Sequence, residues 1–177
     1  GQPEKALELS SEAAVANPNH LELLTARGGA YYNKGDLNAA LDHFDRIVKL
    51  RPDLAEGYFK VALVHNDKGN FIALRNDLNH VLRLDPNHIR ARLMMATLNL
   101  QDKKFEEARS LAAAVQKDDP AIAEAYVLEF SALVMLKREA EAVPVLERAL
   151  KAAPNSDLPA IEIAKLRFGA GQTEAGF

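Results

Sequence analysis

Apolar residues in this chain recur at three- and four-residue steps, and the pattern restarts on a fixed metre. Between residues 37 and 50 they include Leu41, Phe44, Ile47 and Val48, which is the spacing of one helix face. Pro18, Pro52, Pro86, Pro120 and Pro154 follow one another at intervals of 34 residues. Self-similarity at such a period marks a stack of like units. Seventeen residues before each proline stand Gly1, Gly35, Gly69, Lys103 and Lys137, and Gly171 holds that slot in the last, incomplete unit. Gly there suits a helix C-terminus that needs positive φ. Twelve before stand Ala6, Ala40, Leu74, Ala108 and Ala142; twenty-four before stand Gly28, Ala62, Ala96 and Phe130. Small residues at these places let two helices of one unit approach closely.

Each unit therefore reads as helix A, short turn, helix B and a proline-marked loop. In the first complete unit helix A spans 21–34 and helix B 37–50. The complete units are 21–54, 55–88, 89–122 and 123–156. A helix B over 2–16, in a partial unit 1–20, precedes them. A helix A over about 158–168, in a partial unit 157–177, follows. The whole is one array, expected to be a fragment of a longer protein. Asp53, Asn87 and Asn155 follow the loop prolines and suit capping of the next helix. Pro144 falls inside a helix B and is expected to kink it.

The chain resembles the tetratricopeptide repeat family. The best copy keeps Leu24, Gly28, Tyr31, Gly35, Ala40, Phe44 and Pro52, and the resemblance covers essentially the whole sequence. It implies an all-α, right-handed superhelical solenoid of helix-turn-helix pairs with helices A lining a concave face. Arg27 and Glu129 depart from the pattern, standing where the family has apolar core residues. Asp118 interrupts the apolar end of a helix B, and Phe130 fills a small-residue slot.

Composition agrees with helices and narrows the chemistry. Hydrophobic residues are 48%, aromatics 6%, cysteines are absent and the net charge is -3 over 177 residues. No thiol nucleophile, disulfide or zinc ribbon is available. No global field would hold nucleic acid, and no apolar run reaches the ~18 residues of a membrane span. His20, His43, His65, His80 and His88 form no metal-binding motif, and their expected roles are structural. The adjacent carboxylates Glu106-Glu107 and Asp118-Asp119 point in different directions on a helix. No Gly-rich phosphate loop occurs. The sequence thus implies no enzyme, no cofactor and no metal site, and a soluble chain whose compartment it does not name.

The resemblance also assigns the residues that face the groove. On successive helices A they are Glu22, Thr25, Gly29 and Tyr32; Glu56, Phe59, Leu63 and Asn66; Arg90, Leu93, Thr97 and Leu100; Glu124, Val127, Ser131 and Val134. Ile161, Lys165 and Phe168 continue the series. The inner slots are mostly apolar and the outer slot is charged in every complete unit. An apolar channel with a charged rim suits an amphipathic helix or an extended peptide. The residues expected to bind are Tyr32, Phe59, Leu63, Leu93, Leu100, Val127 and Val134, with Glu56, Arg90 and Glu124 at the rim. The Lys/Asn pair with which some relatives clamp a terminal carboxylate is missing.

The expected function is a non-catalytic protein-interaction scaffold. Two alternatives stay open. One is a self-assembling structural array, in which the same apolar residues pack on a second copy. The other is a substrate-recruiting arm of a larger enzyme or of a bacterial envelope or exopolysaccharide system. Truncating Phe44 to Ala is expected to cost ~3–5 kcal/mol, and filling the Ala108 slot with Leu ~1–3 kcal/mol. Thermal or urea melts read both; an unchanged melting temperature would contradict the alignment.

Overall fold

From residue 21 on, two-residue turns and proline-marked loops cut the chain into helices of nearly equal length. The computed structural model describes residues 2–169, with side chains through residue 165. Gly1 and Gly171 lie outside the described residues. Eleven helices occur among those described: α1 Gln2–Leu9, α2 Ser11–Ala16, α3 Leu21–Lys34, α4 Leu37–Leu50, α5 Ala55–Asp67, α6 Phe71–Leu84, α7 Ile89–Gln101, α8 Phe105–Asp118, α9 Ala123–Met135, α10 Glu139–Ala152 and α11 Leu158–Gly169. No strand accompanies them among these residues. Helices α3, α5, α7 and α9 begin 34 residues apart, and so do α4, α6, α8 and α10.

The metre has a backbone cause. Gly35 and Gly69 sit at φ +84° and +68°, and Lys103 and Lys137 take the same left-handed conformation at +61° and +59°. Each ends one helix so that the chain reverses within two residues. The lysines accept a conformation that costs an L-residue about 1–2 kcal/mol. The next residue starts the second helix. Asp36 Oδ1 accepts the Ala39 N–H at 3.1 Å and Asn70 Oδ1 accepts the Ala73 N–H at 3.2 Å. Lys104 and Arg138 hold the equivalent places with no side-chain cap.

The loops behave differently from expectation. Asp53 does not cap α5; the Arg51 guanidinium donates to both its oxygens at 2.8 and 2.9 Å. The cap of α7 is His88, whose Nδ1 accepts the Ala91 N–H at 3.2 Å. His20 makes no such bond.

Contacts divide the molecule into two compact units, the border falling between Ala91 and Arg92 within α7. In the first unit α3 packs on α4, α4 on α5, and α5 on α6. Leu24, Ala40, Phe44, Ile47, Val61 and Val64 form a buried cluster there. Gly28 lies under the Phe44 ring: a Cβ at Gly28 would stand 2.4 Å from Phe44 Cε1. The small residue read from the sequence is therefore a direct steric requirement.

In the second unit α8 packs on α9, and α9 and α10 pack on each other and on α11. Tyr126, Phe130, Leu133, Ala142, Val145, Leu146 and Ala149 form its cluster. Phe130 takes the slot of Gly28, and Leu146 takes the slot of Phe44. The pair is therefore two large residues here in place of one small and one large. Pro144 sits inside α10, which still runs its full 14 residues.

Each polar intruder has a partner. Arg27 Nη1 donates to the Leu7 carbonyl and to Ser10 Oγ, both at 2.9 Å. Glu129, only 7% exposed, accepts from Gln116 Nε2 at 2.8 Å and from Arg148 Nη2 at 3.0 Å. Asp118 accepts from Arg92. Buried polar groups persist only when so satisfied. Arg27 also bears on the expected single helix over 2–16, which is interrupted at Ser10. The Ser10 hydroxyl donates to the Ala6 and Leu7 carbonyls at 2.7 and 3.2 Å, and Ser11 Oγ to that of Glu8 at 2.7 Å. Such hydroxyls compete with the helical ladder, and Arg27 engages the same Leu7 carbonyl.

Lys103→Gly and Lys137→Gly should each stabilise the protein by about 0.5–1 kcal/mol, because the left-handed strain is relieved at some cost in chain entropy. Chemical denaturation of each variant reads this. A loss of stability in both would mean that the turns do not carry the strain.

Candidate partner-binding surface

The residues expected to face the groove occupy three different levels of burial. In the first unit Glu56 and Arg90 are exposed at the starts of α5 and α7, and Tyr32 and Leu63 are half-buried. Phe59 is 1% exposed and lies beneath its neighbours. The His88 ring lies 4.5 Å from it and the Arg90 guanidinium 4.9 Å, centroid to centroid and carbon to centroid. In the second unit Glu124 is exposed, and Leu100, Val127 and Val134 are half-buried. Leu93 is 7% exposed, and Val134 packs against the Phe130 cluster. Ile161 and Lys165 are exposed on α11; the side chain of Phe168 lies outside the described residues.

Hydroxyls on this face turn inward. Thr97 Oγ1 donates to the Leu93 carbonyl at 3.0 Å and Ser131 Oγ to that of Val127 at 2.8 Å. Each is thereby satisfied within its own helix.

At the rim Glu56 is engaged. Glu56 Oε1 takes the Lys60 ammonium at 3.0 Å, and its Oε2 faces His88 Nε2 at 3.7 Å. A ring nitrogen that accepts an N–H carries no proton, so the His88 cap leaves the proton on Nε2, toward Glu56. The Tyr32 hydroxyl donates to Asp67 Oδ2. Burial first, then that hydrogen bond and the Asp67 charge, push the Tyr32 phenol up to about 12; the nearby Arg90 charge opposes them. Tyr32 therefore stays a neutral donor at physiological pH. Asp67 Oδ1 accepts from Asn66 Nδ2 at 3.2 Å.

His43, His80 and His65 have structural partners. His43 Nδ1 donates to the Ala39 carbonyl at 2.8 Å, and its ring lies 5.2 Å from Tyr31. His80 stacks on Tyr58 at 4.8 Å. His65 Nδ1 donates to Asp77 Oδ2 at 2.6 Å. Burial raises the Asp77 carboxyl above its ordinary range against the pull of His65. Asp45 on α4 is raised too, again chiefly by burial, with Lys49 and His65 opposing and Asp42 assisting. Among the described residues no three His, Cys, Asp or Glu side chains are placed to hold a metal ion. Glu106 is held by Arg109 and Arg138, each at 2.8 Å; the Arg109 hydrogen bond leads in drawing its carboxyl below the usual range. It is therefore an ionised partner rather than a proton donor.

Sequence reasoning missed two features. The Phe59–His88–Arg90 cluster was invisible because it joins a loop to two helices. Phe71 and Ile72, 51% and 81% exposed at the start of α6, were also overlooked. They lie off the buried Leu74–Leu78–Val81 stripe, which is the signal that could have marked them.

Comparison with known proteins places this geometry. A family model described as tetratricopeptide repeat matches residues 1–70 and 76–157. A TPR repeat-containing protein of Rhizobium etli is 37% identical over 60 residues, 34% of this chain and 29% of that protein. The DnaJ homolog subfamily C member 7 homolog of Schizosaccharomyces pombe is 30% identical over 161 residues, 82% of this chain and 32% of that protein. The chain thus spans about a third of the length of these curated relatives. Among solved structures, MamA has a TM-score of 0.75 at 20% identity, covering 86% of this chain and 83% of its own. YrrB, described as a TPR protein with an unusual peptide-binding site, has a TM-score of 0.75 at 20% identity, covering 93% and 84%. At these identities the likeness is one of fold. No helix among the described residues is long and apolar enough to cross a membrane.

Asp45 provides a test of the interior electrostatics. Its folded pKa is raised, so ionising it costs more in the folded protein than in the unfolded chain. That penalty is absent below the ordinary carboxylate range and complete above the raised value. Asp45→Asn should therefore raise the melting temperature near neutral pH, and the gain should vanish as pH falls through the carboxylate range. Parallel thermal melts across pH check this; a lower melting temperature for Asp45→Asn at neutral pH would refute it.

Proposed function

The chain belongs to the tetratricopeptide repeat family, and from that premise we propose that it is a non-catalytic scaffold binding a helix or extended peptide on its A-helix faces. The observation that carries this reading is the layering of those faces. Half-buried Tyr32 and Leu63 in the first unit, and Leu100, Val127 and Val134 in the second, sit between exposed rim charges. Phe59 and Leu93 are buried and lie outside that contact layer. Half-buried apolar side chains offer surface that a partner can bury, and exposed Glu56, Arg90 and Glu124 set its register. The fold likeness to YrrB, a protein described by its peptide-binding site, supports seeking a peptide.

The test is selection from a displayed random dodecapeptide library on the immobilised protein, followed by titration of the enriched peptides. Leu63→Glu and Val127→Glu should each weaken binding about tenfold or more while circular dichroism shows unchanged helix content. Retained affinity in both folded variants would overturn the reading. Light scattering over a wide concentration range separates it from self-assembly: a concentration-dependent oligomer dissolved by Leu63→Glu would assign the same face to a second copy.

A further inference from the structure

We propose that His65, Asp77 and Asp45 form a proton-dependent clasp across α4, α5 and α6, which tightens when the His65 imidazole takes up a proton. The device is internal to the first unit and does not depend on what the A-helix faces bind.

The three groups come from three helices packed in series: Asp45 from α4, His65 from α5 and Asp77 from α6. His65 Nδ1 donates to Asp77 Oδ2 at 2.6 Å, and both side chains are only 17% exposed. Half-buried Asp45 lies close enough for its charge to act on His65 and on Asp77. While the ring is neutral, two partly buried carboxylates face it with no charge between them. Like charges removed from water are costly. A proton on Nε2 turns the ring into their common counter-ion, and Nδ1 keeps its bond to Asp77. Among the described residues Nε2 has no partner to lose. His65 also lies in the last turn of α5, where the helix dipole favours a cation. His80 and His88 differ in kind. Their Nδ1 atoms accept from Arg83 Nη2 at 2.5 Å and from the Ala91 N–H at 3.2 Å, so a second ring proton breaks a bond there.

The other charges facing the clasp are Lys49 and Asp42 beside Asp45 on α4, and His80 beside Asp77 on α6. Lys49 favours the ionised Asp45 and Asp42 opposes it, but burial leads in raising both clasp carboxyls. A carboxyl raised in the folded state makes the folded unit hold more protons than the unfolded chain. Its penalty is absent in acid and complete above the raised value. The proton on His65 acts in the same direction. The clasp is therefore tighter in mildly acidic solution than at neutral pH.

Thermal melts of the full chain, Asp77→Asn, Asp45→Asn and His65→Gln, followed by circular dichroism at about pH 7.5, 6 and 5, test this. Because His80 and His88 pull the other way, the quantity read is the difference between wild type and each variant. From the highest to the lowest pH the wild type should gain about 2–4 °C on Asp77→Asn and on Asp45→Asn. Against His65→Gln the gain should appear in the upper half of the range, above the ordinary carboxylate values. Asp45→Asn, on a different helix, decides the matter if Asp77→Asn does not fold. Differences from the Asp variants that stay constant with pH, or that reverse in acid, would overturn the clasp. A pH-dependent difference for the Asp variants with none for His65→Gln would overturn the imidazole as the seat of the proton.

Discussion

A left-handed residue at the same place in four helix hairpins is the constraint on which the rest of this structure depends. Gly35, Gly69, Lys103 and Lys137 all adopt positive φ. The chain reverses within two residues and the paired helices begin at a constant offset. Only then do side chains far apart in sequence come opposite one another at the same level. The lysines show that the geometry outranks the residue's own preference: packing of the hairpin imposes a conformation that an isolated Lys would avoid. Two of these turns also lack a capping side chain where Asp36 and Asn70 provide one.

Within that frame the hairpins are filled by different residues at equivalent places. Gly28 accommodates Phe44 in one hairpin, and the equivalent places in another hold two large residues, Phe130 and Leu146. Polar residues enter the interior under a stricter condition. Arg27 finds a carbonyl and a hydroxyl on the preceding helices, and Glu129 finds Gln116 and Arg148. A buried charge without such partners would cost far more than a mispacked methyl. The pairing of Arg27 also shapes its neighbour, since the carbonyl it engages lies next to the interruption between α1 and α2.

The surface inherits its character from the same layering. Phe59 is buried, with the Arg90 guanidinium and the His88 ring against its own ring. A loop histidine, a buried ring and an exposed cation thus meet at the start of α7. Exposed Glu56 on the rim lies in local pairs with Lys60 and His88, which contribute little stability on their own.

The sequence by itself determined the period, the identity of the turn residues and, in the complete units, the places where helices begin and end, though not the break at Ser10. These follow from proline, glycine and apolar spacing, which act over a few residues and need no distant partner. It also marked Arg27, Glu129 and Asp118 as departures, but it could not supply their partners, which lie on other helices. The same limit applies to the candidate surface. Sequence spacing gives Phe59 and Leu63 the same standing on one helix face, since it reports direction and not depth. Tertiary structure alone put Phe59 under His88 and Arg90 and left Leu63 half open, because burial is set by what neighbouring segments place on top of a side chain.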